Sequence, residues 1–250
     1  MLPKIPVEPV ALFLDVDGTL LDIAAVPDGV RVPPELNLAL SSLDKKLDGA
    51  IALVSGRSIA DLDAIFAPLR LATSGVHGAE MRFYPTEPVE AASTFRLAPT
   101  LIAALQATAG RHPGTLVEDK GFSVAIHYRA APALGAVLRH EIEALLHEPD
   151  AEGCRILPGH MVFEVKHAGF DKGTAVDRFM SRAPFEGRRP IFVGDDVTDL
   201  PGFDRAIAHG GLAYSVTTAR DGTSGHFADP EAVRTWLSSL SQSLAKPLPS

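Results

Sequence analysis

The chain has 250 residues, 46% of them hydrophobic and 22% charged, with a formal net charge of −8. That length allows one large domain or two smaller ones, and the negative balance argues against a nucleic-acid binder that works by neutralising phosphates. A single cysteine, Cys154, excludes an intrachain disulfide and a cysteine-rich metal site.

The apolar run Val10–Leu14 predicts a buried strand, because it is short and lacks helical spacing. Pro33-Pro34-Glu35 opens a helix to about Leu47, with proline in the first turn where a missing N–H costs nothing. Ala50–Val54 reads as a second strand, Ser58–Phe66 as a helix, and Leu71–Ser74 as a strand ending before Gly75. Strands alternating with helices imply βαβ units and a parallel sheet.

The rhythm then changes. A helix over Leu97–Ala109 precedes strand candidates Thr115–Glu118 and Phe122–Tyr128, separated by Asp119-Lys120-Gly121. A second helix, Pro132–His147, precedes Arg155–Pro158 and Met161–Val165 around Gly159-His160. This pattern predicts an antiparallel sheet with helices on one face, inserted as a smaller domain into the first. The opening style resumes with a helix over Gly173–Met180, a strand at Pro190–Val193 and a helix over Leu200–Ala208; the tail after Ala245 is expected to fray. The expected fold class is α/β: a discontinuous parallel-sheet core, 1–83 and 168–250, with an inserted α+β domain of order αββαββ at 84–167. No apolar run approaches the roughly 18 residues that span a bilayer, and Met1–Pro9 has no secretory-leader pattern, so a cytoplasmic setting is expected.

The most informative stretch is Asp15-Val16-Asp17-Gly18-Thr19-Leu20, directly behind the first strand. Side chains two apart in a strand point the same way, so two carboxylates converge, and Gly18 allows a sharp turn. Gathered carboxylates repel unless a cation sits between them. Hard oxygen ligands in small number suit Mg²⁺, and one carboxylate remains free to act as a nucleophile. The alternative is a plain surface turn built from common turn formers.

Three further segments fit this motif. Ser55 follows the second strand, Lys172 stands at a helix start in Phe170-Asp171-Lys172-Gly173-Thr174, and Gly194-Asp195-Asp196-Val197-Thr198-Asp199 follows the strand at 190–193. The carboxyl ends of strands in an open parallel sheet form the ligand crevice, which would bring Asp15, Ser55 and Asp195 together. Taken singly, Ser55 could cap the next helix, Lys172 could be a solvated lysine, and Asp199 could cap the helix from Leu200.

The order Asp-x-Asp-Gly-Thr, Ser, Lys, Gly-Asp-Asp resembles the four motifs of the haloacid dehalogenase superfamily. The finer pattern is similar to that of trehalose-6-phosphate phosphatases: Val54-Ser55-Gly56-Arg57, Gly75-Val76-His77-Gly78-Ala79-Glu80, Phe163-Glu164-Val165-Lys166, Lys172-Gly173 and Gly194-Asp195-Asp196-Val197-Thr198-Asp199. The resemblance implies a Rossmann-like core with a cap domain of the C2 type that closes over the crevice and excludes water. It implies Asp15 as nucleophile through an aspartyl-phosphate, and Asp17 as acid and then base. Mg²⁺ would be held by Asp15, the main-chain carbonyl of Asp17, and Asp195, with Asp196 and Asp199 orienting metal-bound waters. Thr19, Ser55, Gly56 and Lys172 would hold the phosphoryl group.

For the sugar, the resemblance implies Arg57, His77, Gly78, Glu118, Lys120 and Glu164, with His127 and Arg129 as further candidates; charged residues at hairpin tips are also commonly plain solvated surface. The implied reaction is hydrolysis of trehalose 6-phosphate, with a small-molecule sugar phosphate as partner, no nucleic acid, no membrane, and a functional link to a trehalose-phosphate synthase. The alternatives are a phosphatase for sucrose, mannosylglycerate or hexose phosphates, a phosphotransferase on the same core, and a non-catalytic sensor, which the presence of both Asp15 and Asp17 disfavours. Leu200, His167 and Asp171 depart from the family pattern, and Asp171 places a negative charge beside Lys172.

Overall fold

The computed structural model describes residues 9–23, 31–91, 96–159 and 161–244. His160 and the tail beyond 244 therefore lie outside the described residues. In chain order, β1 (Val10–Leu14) is followed by α1 (Pro34–Lys46), β2 (Ile51–Val54), α2 (Ile59–Phe66), β3 (Ala72–Gly75), β4 (Glu80–Arg82) and β5 (Glu90–Ala91). Next come α3 (Pro99–Gly110), β6 (Leu116–Asp119), β7 (Ser123–His127), α4 (Gly135–Leu145), β8 (Cys154–Gly159) and β9 (Val162–His167). The chain ends with α5 (Lys172–Met180), β10 (Arg189–Gly194), α6 (Leu200–Ala208), β11 (Leu212–Val216), β12 (Gly225–Phe227) and α7 (Pro230–Ser243). No helix among the described residues is long and apolar enough to cross a membrane.

Two compact units result: Met1–Ala92 with Asp171–Ser250, and Ser93–Phe170. The second begins later than residue 84, because β4 and β5 fold back antiparallel onto β3 and extend the first sheet. The first unit is a mixed α/β layer structure whose eight strands run in the order β12-β11-β10-β1-β2-β3-β4-β5. The six strands from β12 to β3 are parallel, and β1 lies in the middle between β10 and β2. Every residue of β1 and of β2 is buried, as expected of parallel strands covered on both faces.

Helices supply that cover. In α1, Leu36, Ala39, Leu40 and Leu43 recur at helical spacing and are buried. The same spacing places Val233, Trp236, Leu237 and Leu240 of α7 in the core, behind an Asp229 cap and Pro230. Phe13, Phe179 and Phe185 cluster beneath the sheet centre, with ring centroids 4.8–5.8 Å apart. This packing makes the sheet centre a rigid support for whatever the strand ends carry.

The second unit is an antiparallel sheet in the order β6-β7-β9-β8. Val124, Ile126, Phe163 and Val165 alternate onto one face and pack with Leu101 and Leu105 of α3 and with Leu138 and Ile142 of α4. The intervening residues on the strands, including Glu118, Glu164 and Lys166, belong to the other face.

Candidate active site

At the carboxyl end of β1 the chain must turn sharply while keeping its carboxylates at the sheet edge. Asp15 donates its N–H to the carbonyl of Val193 (2.9 Å), continuing the β1–β10 ladder by one residue. Beyond it, the N–H groups of Leu20 and Leu21 both reach back to the carbonyl of Val16 at 2.9 Å. Gly18 sits in that turn at φ +79°, and a Cβ there would overlap the Asp195 carboxylate. Glycine is required twice over, for the left-handed backbone and for the space. Thr19 donates its hydroxyl to Asp15 Oδ2 at 3.0 Å, so its observed partner is the carboxylate itself.

Lys172 enters from the first turn of α5. Asp171 caps that helix, accepting the N–H of Thr174 at 2.9 Å while Thr174 Oγ1 accepts the N–H of Asp171. The negative charge beside Lys172 is therefore engaged in capping. The Lys172 ammonium, 3% exposed, bridges Asp15 Oδ1 and Asp199 Oδ1 at 2.6 Å each. Asp199 gives no side-chain cap to α6; its other oxygen accepts the N–H of Asp196 at 2.9 Å. Asp196 accepts the N–H of Val197 at 2.6 Å. Leu200 opens α6 partly exposed, on the far side of these carboxylates in sequence and without a polar role.

One carboxylate oxygen each from Asp15, Asp195 and Asp199 lies within 4.8 Å of the others. The cluster thus includes Asp199, and Asp196 is not part of it. Burial, then the neighbouring Asp199 charge, push Asp15 up to about 7 despite Lys172. Burial and the Asp15 charge likewise push Asp195 up to about 7. Asp199 is also raised, by burial first, and Lys172 is raised, its two carboxylate partners outweighing its burial. Three carboxylates facing one ammonium leave two negative charges uncompensated. A divalent cation with oxygen preference fits this donor set, since it relieves the repulsion that raises Asp15 and Asp195.

Ser55 ends β2, next to β1 in the sheet. Its N–H continues the ladder to Ser74, and its hydroxyl accepts the N–H of Arg57 at 3.2 Å. The cap of α2 is Ser58, which accepts from Asp61, so Ser55 is not spent on capping. Arg57, expected at the sugar, places Nε and Nη2 on the two carboxylate oxygens of Asp17, both at 2.7 Å. His77 is buried at φ +52° with its N–H on the Ser55 carbonyl, and Gly56 leaves room for its ring. Gly78 allows the Asp171 carbonyl to approach where a Cβ would collide, which ties this loop to the start of α5.

The remaining expected contacts lie in the small unit. Glu118 on β6 accepts from His127 Nε2 at 3.1 Å, and that bond, helped by Lys120, holds its carboxyl below the usual range. Lys120 Nζ lies 3.5 Å from Glu164, which is buried on β9. Glu118, Lys120, His127 and Glu164 therefore form one polar group on this sheet face. Arg129 follows β7 in the chain. His167 stacks on Phe170, with centroids 6.0 Å apart, and accepts the N–H of Gly169.

Sequence reading did not anticipate the Arg57–Asp17 pair or the Asp199–Lys172 bridge. Forty residues separate the first pair and 27 the second, and only the sheet order brings them together. Arg57 did carry a signal: it lies three residues past the end of β2, a strand adjacent to β1.

A buried strand-end carboxylate held by lysine on a Rossmann-like sheet places the chain among α/β enzymes of the haloacid dehalogenase fold. The solved C-terminal domain of Candida albicans trehalose-6-phosphate phosphatase shares the fold, with a TM-score of 0.80 over 94% of this chain and 92% of that one, at 20% identity. Residues 13–230 match the family model described as trehalose-phosphatase, and the chain belongs to that family of phosphoric monoester hydrolases. It is 44% identical to a probable trehalose-phosphate phosphatase of Sinorhizobium fredii over 82% of this chain and 77% of that one. It is 36% identical to the trehalose-6-phosphate phosphatase of Escherichia coli over 94% and 87% respectively.

Proposed function

We propose that this chain hydrolyses trehalose 6-phosphate to trehalose and phosphate with Mg²⁺, in the cytoplasm, on product supplied by a trehalose-phosphate synthase. The observation that carries this reading is the buried Lys172 bridge between Asp15 and Asp199, in a chain that matches the trehalose-phosphatase family over residues 13–230. Asp15 is the nucleophile. Its Oδ attacks phosphorus, the P–O bond to the sugar breaks, and the departing oxygen takes the proton of the Asp17 carboxyl. A water oxygen then attacks phosphorus, gives its proton to Asp17, and the P–O bond to Asp15 breaks with its electron pair returning to Asp15.

Lys172 and Ser55 hold the phosphoryl oxygens, with the backbone at Gly56 beside them. Thr19 orients Asp15 through the hydroxyl contact described above. Asp199 fixes Lys172 from the opposite side. Asp15, the Asp17 carbonyl and Asp195 are the groups that would hold Mg²⁺, which when bound neutralises charge between nucleophile and phosphoryl group. Glu118, Lys120 and Glu164 of the small unit, with His77 and Gly78, recognise the sugar through directional hydrogen bonds. In this reading the small unit, residues 84–167 by sequence and Ser93–Phe170 by compactness, is the recognition domain.

Phosphate release from a panel of sugar phosphates tests this. Turnover is expected to be fastest on trehalose 6-phosphate, to stop with chelator, and to fall at least about a thousandfold in Asp15→Asn. Equal turnover on sucrose, hexose and mannosylglycerate phosphates would sink the substrate assignment. Activity surviving both chelation and the substitution would sink the mechanism.

A further inference from the structure

We infer that Arg57 is a positioning residue for Asp17, aiming its carboxylate as the proton acceptor of the second half-reaction, rather than a contact to the sugar. The inference deepens the proposed function and rests on its assignment of Asp15 and Asp17.

Two bonds of 2.7 Å join the guanidinium to the carboxylate, Nε to Oδ2 and Nη2 to Oδ1. This is the side-on, bidentate geometry that a planar arginine fork makes with a carboxylate and that lysine cannot reproduce. The arginine is held from behind as well. Its N–H is on Ser55 Oγ at 3.2 Å and its carbonyl accepts the N–H of Val76 at 2.9 Å. The stem therefore starts from a fixed point at the end of β2 and crosses to the end of β1, the neighbouring strand. Its side chain is 19% exposed and that of Asp17 39%, so solvent reaches the acid while the clamp stays largely covered.

Hydrogen-bond chemistry gives the pair its direction. A guanidinium has five donors and no acceptor, so each carboxylate oxygen that faces it must accept. Both oxygens of Asp17 do so. Each oxygen in such a bond keeps a second lone pair, so Asp17 can exchange a proton with the sugar oxygen and later with water while it stays in the fork. The clamp thus aims one carboxylate at both transfers, and acceptance from water is the one that every substrate requires. With a leaving group that needs no proton, removing the clamp is expected to slow the second step and spare the first.

The two steps separate with 4-nitrophenyl phosphate, whose leaving group departs without a proton. In Arg57→Ala, rapid mixing is expected to show a burst of about one nitrophenolate per enzyme, followed by steady-state turnover at least about tenfold slower than in the parent chain. Acid quench with ³²P-labelled substrate should trap more labelled enzyme than in the parent. Arg57→Lys should recover part of the steady-state rate by charge without the fork. Unchanged turnover of the aryl phosphate with a raised KM for trehalose 6-phosphate would overturn the inference and make Arg57 a sugar contact. Uniformly slower turnover with neither burst nor trapped label would reduce Arg57 to a structural role and overturn it as well. Label that still attaches in the Asp15→Asn, Arg57→Ala double variant would instead break the reading of Asp15, independently of Arg57.

Discussion

The two units solve opposite problems with the same residue types. Around β1, Asp15, Asp199 and Lys172 are nearly inaccessible, and each is held by at least two contacts. On the polar sheet face of the small unit, Glu118 and His127 are part-exposed and share one hydrogen bond, while Lys120 approaches Glu164 only to 3.5 Å. Buried, multiply tied charges cost desolvation and return fixed geometry, which a displacement at phosphorus requires. Part-exposed groups such as Glu118 and His127 can exchange a hydrogen bond for the hydroxyls of a ligand at little cost. In the proposed function, chemistry falls to the buried, multiply tied groups and recognition to the more exposed face.

The contrast can be broken most severely at Gly18. Gly18→Ala forces a Cβ into the Asp195 carboxylate and strains a positive-φ turn, and activity is expected to fall about a hundredfold or more. Titration of the variant with Mn²⁺ alone should show weakened binding; unchanged Mn²⁺ affinity would mean that the cluster tolerates displacement. In the small unit, Glu164→Gln should act chiefly on KM for trehalose 6-phosphate, raising it about tenfold, with kcat on 4-nitrophenyl phosphate nearly unchanged. An equal loss on both substrates would erase the division between the units.

The smallest expected effect concerns stability. Arg82, buried, donates to both oxygens of Asp63 at 2.7 Å and to the Leu71 carbonyl. Burial pushes Asp63 up, but the hydrogen bonds and charge of Arg82 prevail and hold it below its ordinary 3.8. A lowered folded-state value means that this stabilisation is complete above the unfolded-state pKa and disappears as pH falls through the folded one. Asp63→Asn should lower stability by about 1–2 kcal/mol near neutrality, and the difference from the parent should shrink below pH ~3.8 in denaturant titrations. A difference independent of pH would assign the loss to packing.

Much of this arrangement is legible in the chain. Val10–Leu14 and Ile51–Val54 announce themselves because parallel strands buried on both faces are continuous apolar runs. Their ends then locate Asp15 and Ser55. Asp195 follows from the same logic, and Lys172 from its place at a helix start. The sheet edge was less readable: β4, β5 and β12 have two or three residues, and pairing with neighbours rather than a pattern of their own makes them strands. Helix α7 escaped although Asp229-Pro230-Glu231 marks its start and Val233, Trp236, Leu237 and Leu240 its buried stripe. At the site, the resemblance implied phosphoryl oxygens for Lys172 and the sugar for Arg57, and it gave no sign of the carboxylates they meet. Asp199 and Asp17 became their partners through strand order, a property of the whole sheet.

The position of β1 between β2 and β10 has a consequence for how the protein comes into being. Val10 pairs with Arg189, 179 residues further along the chain. A nascent polypeptide synthesised as far as the small unit contains Asp15, the proposed nucleophile, but neither Lys172 nor Asp195. The α3–β9 segment can gather its own apolar core by then, since all of its strands pair locally. The first sheet must wait for the last third of translation, and its central strand stays unpaired on one side until that arrives. Any product cut short of β10 therefore lacks both the second partner of the central strand and the carboxylates that follow it, because the segment that pairs with β1 also delivers Asp195 and Asp199.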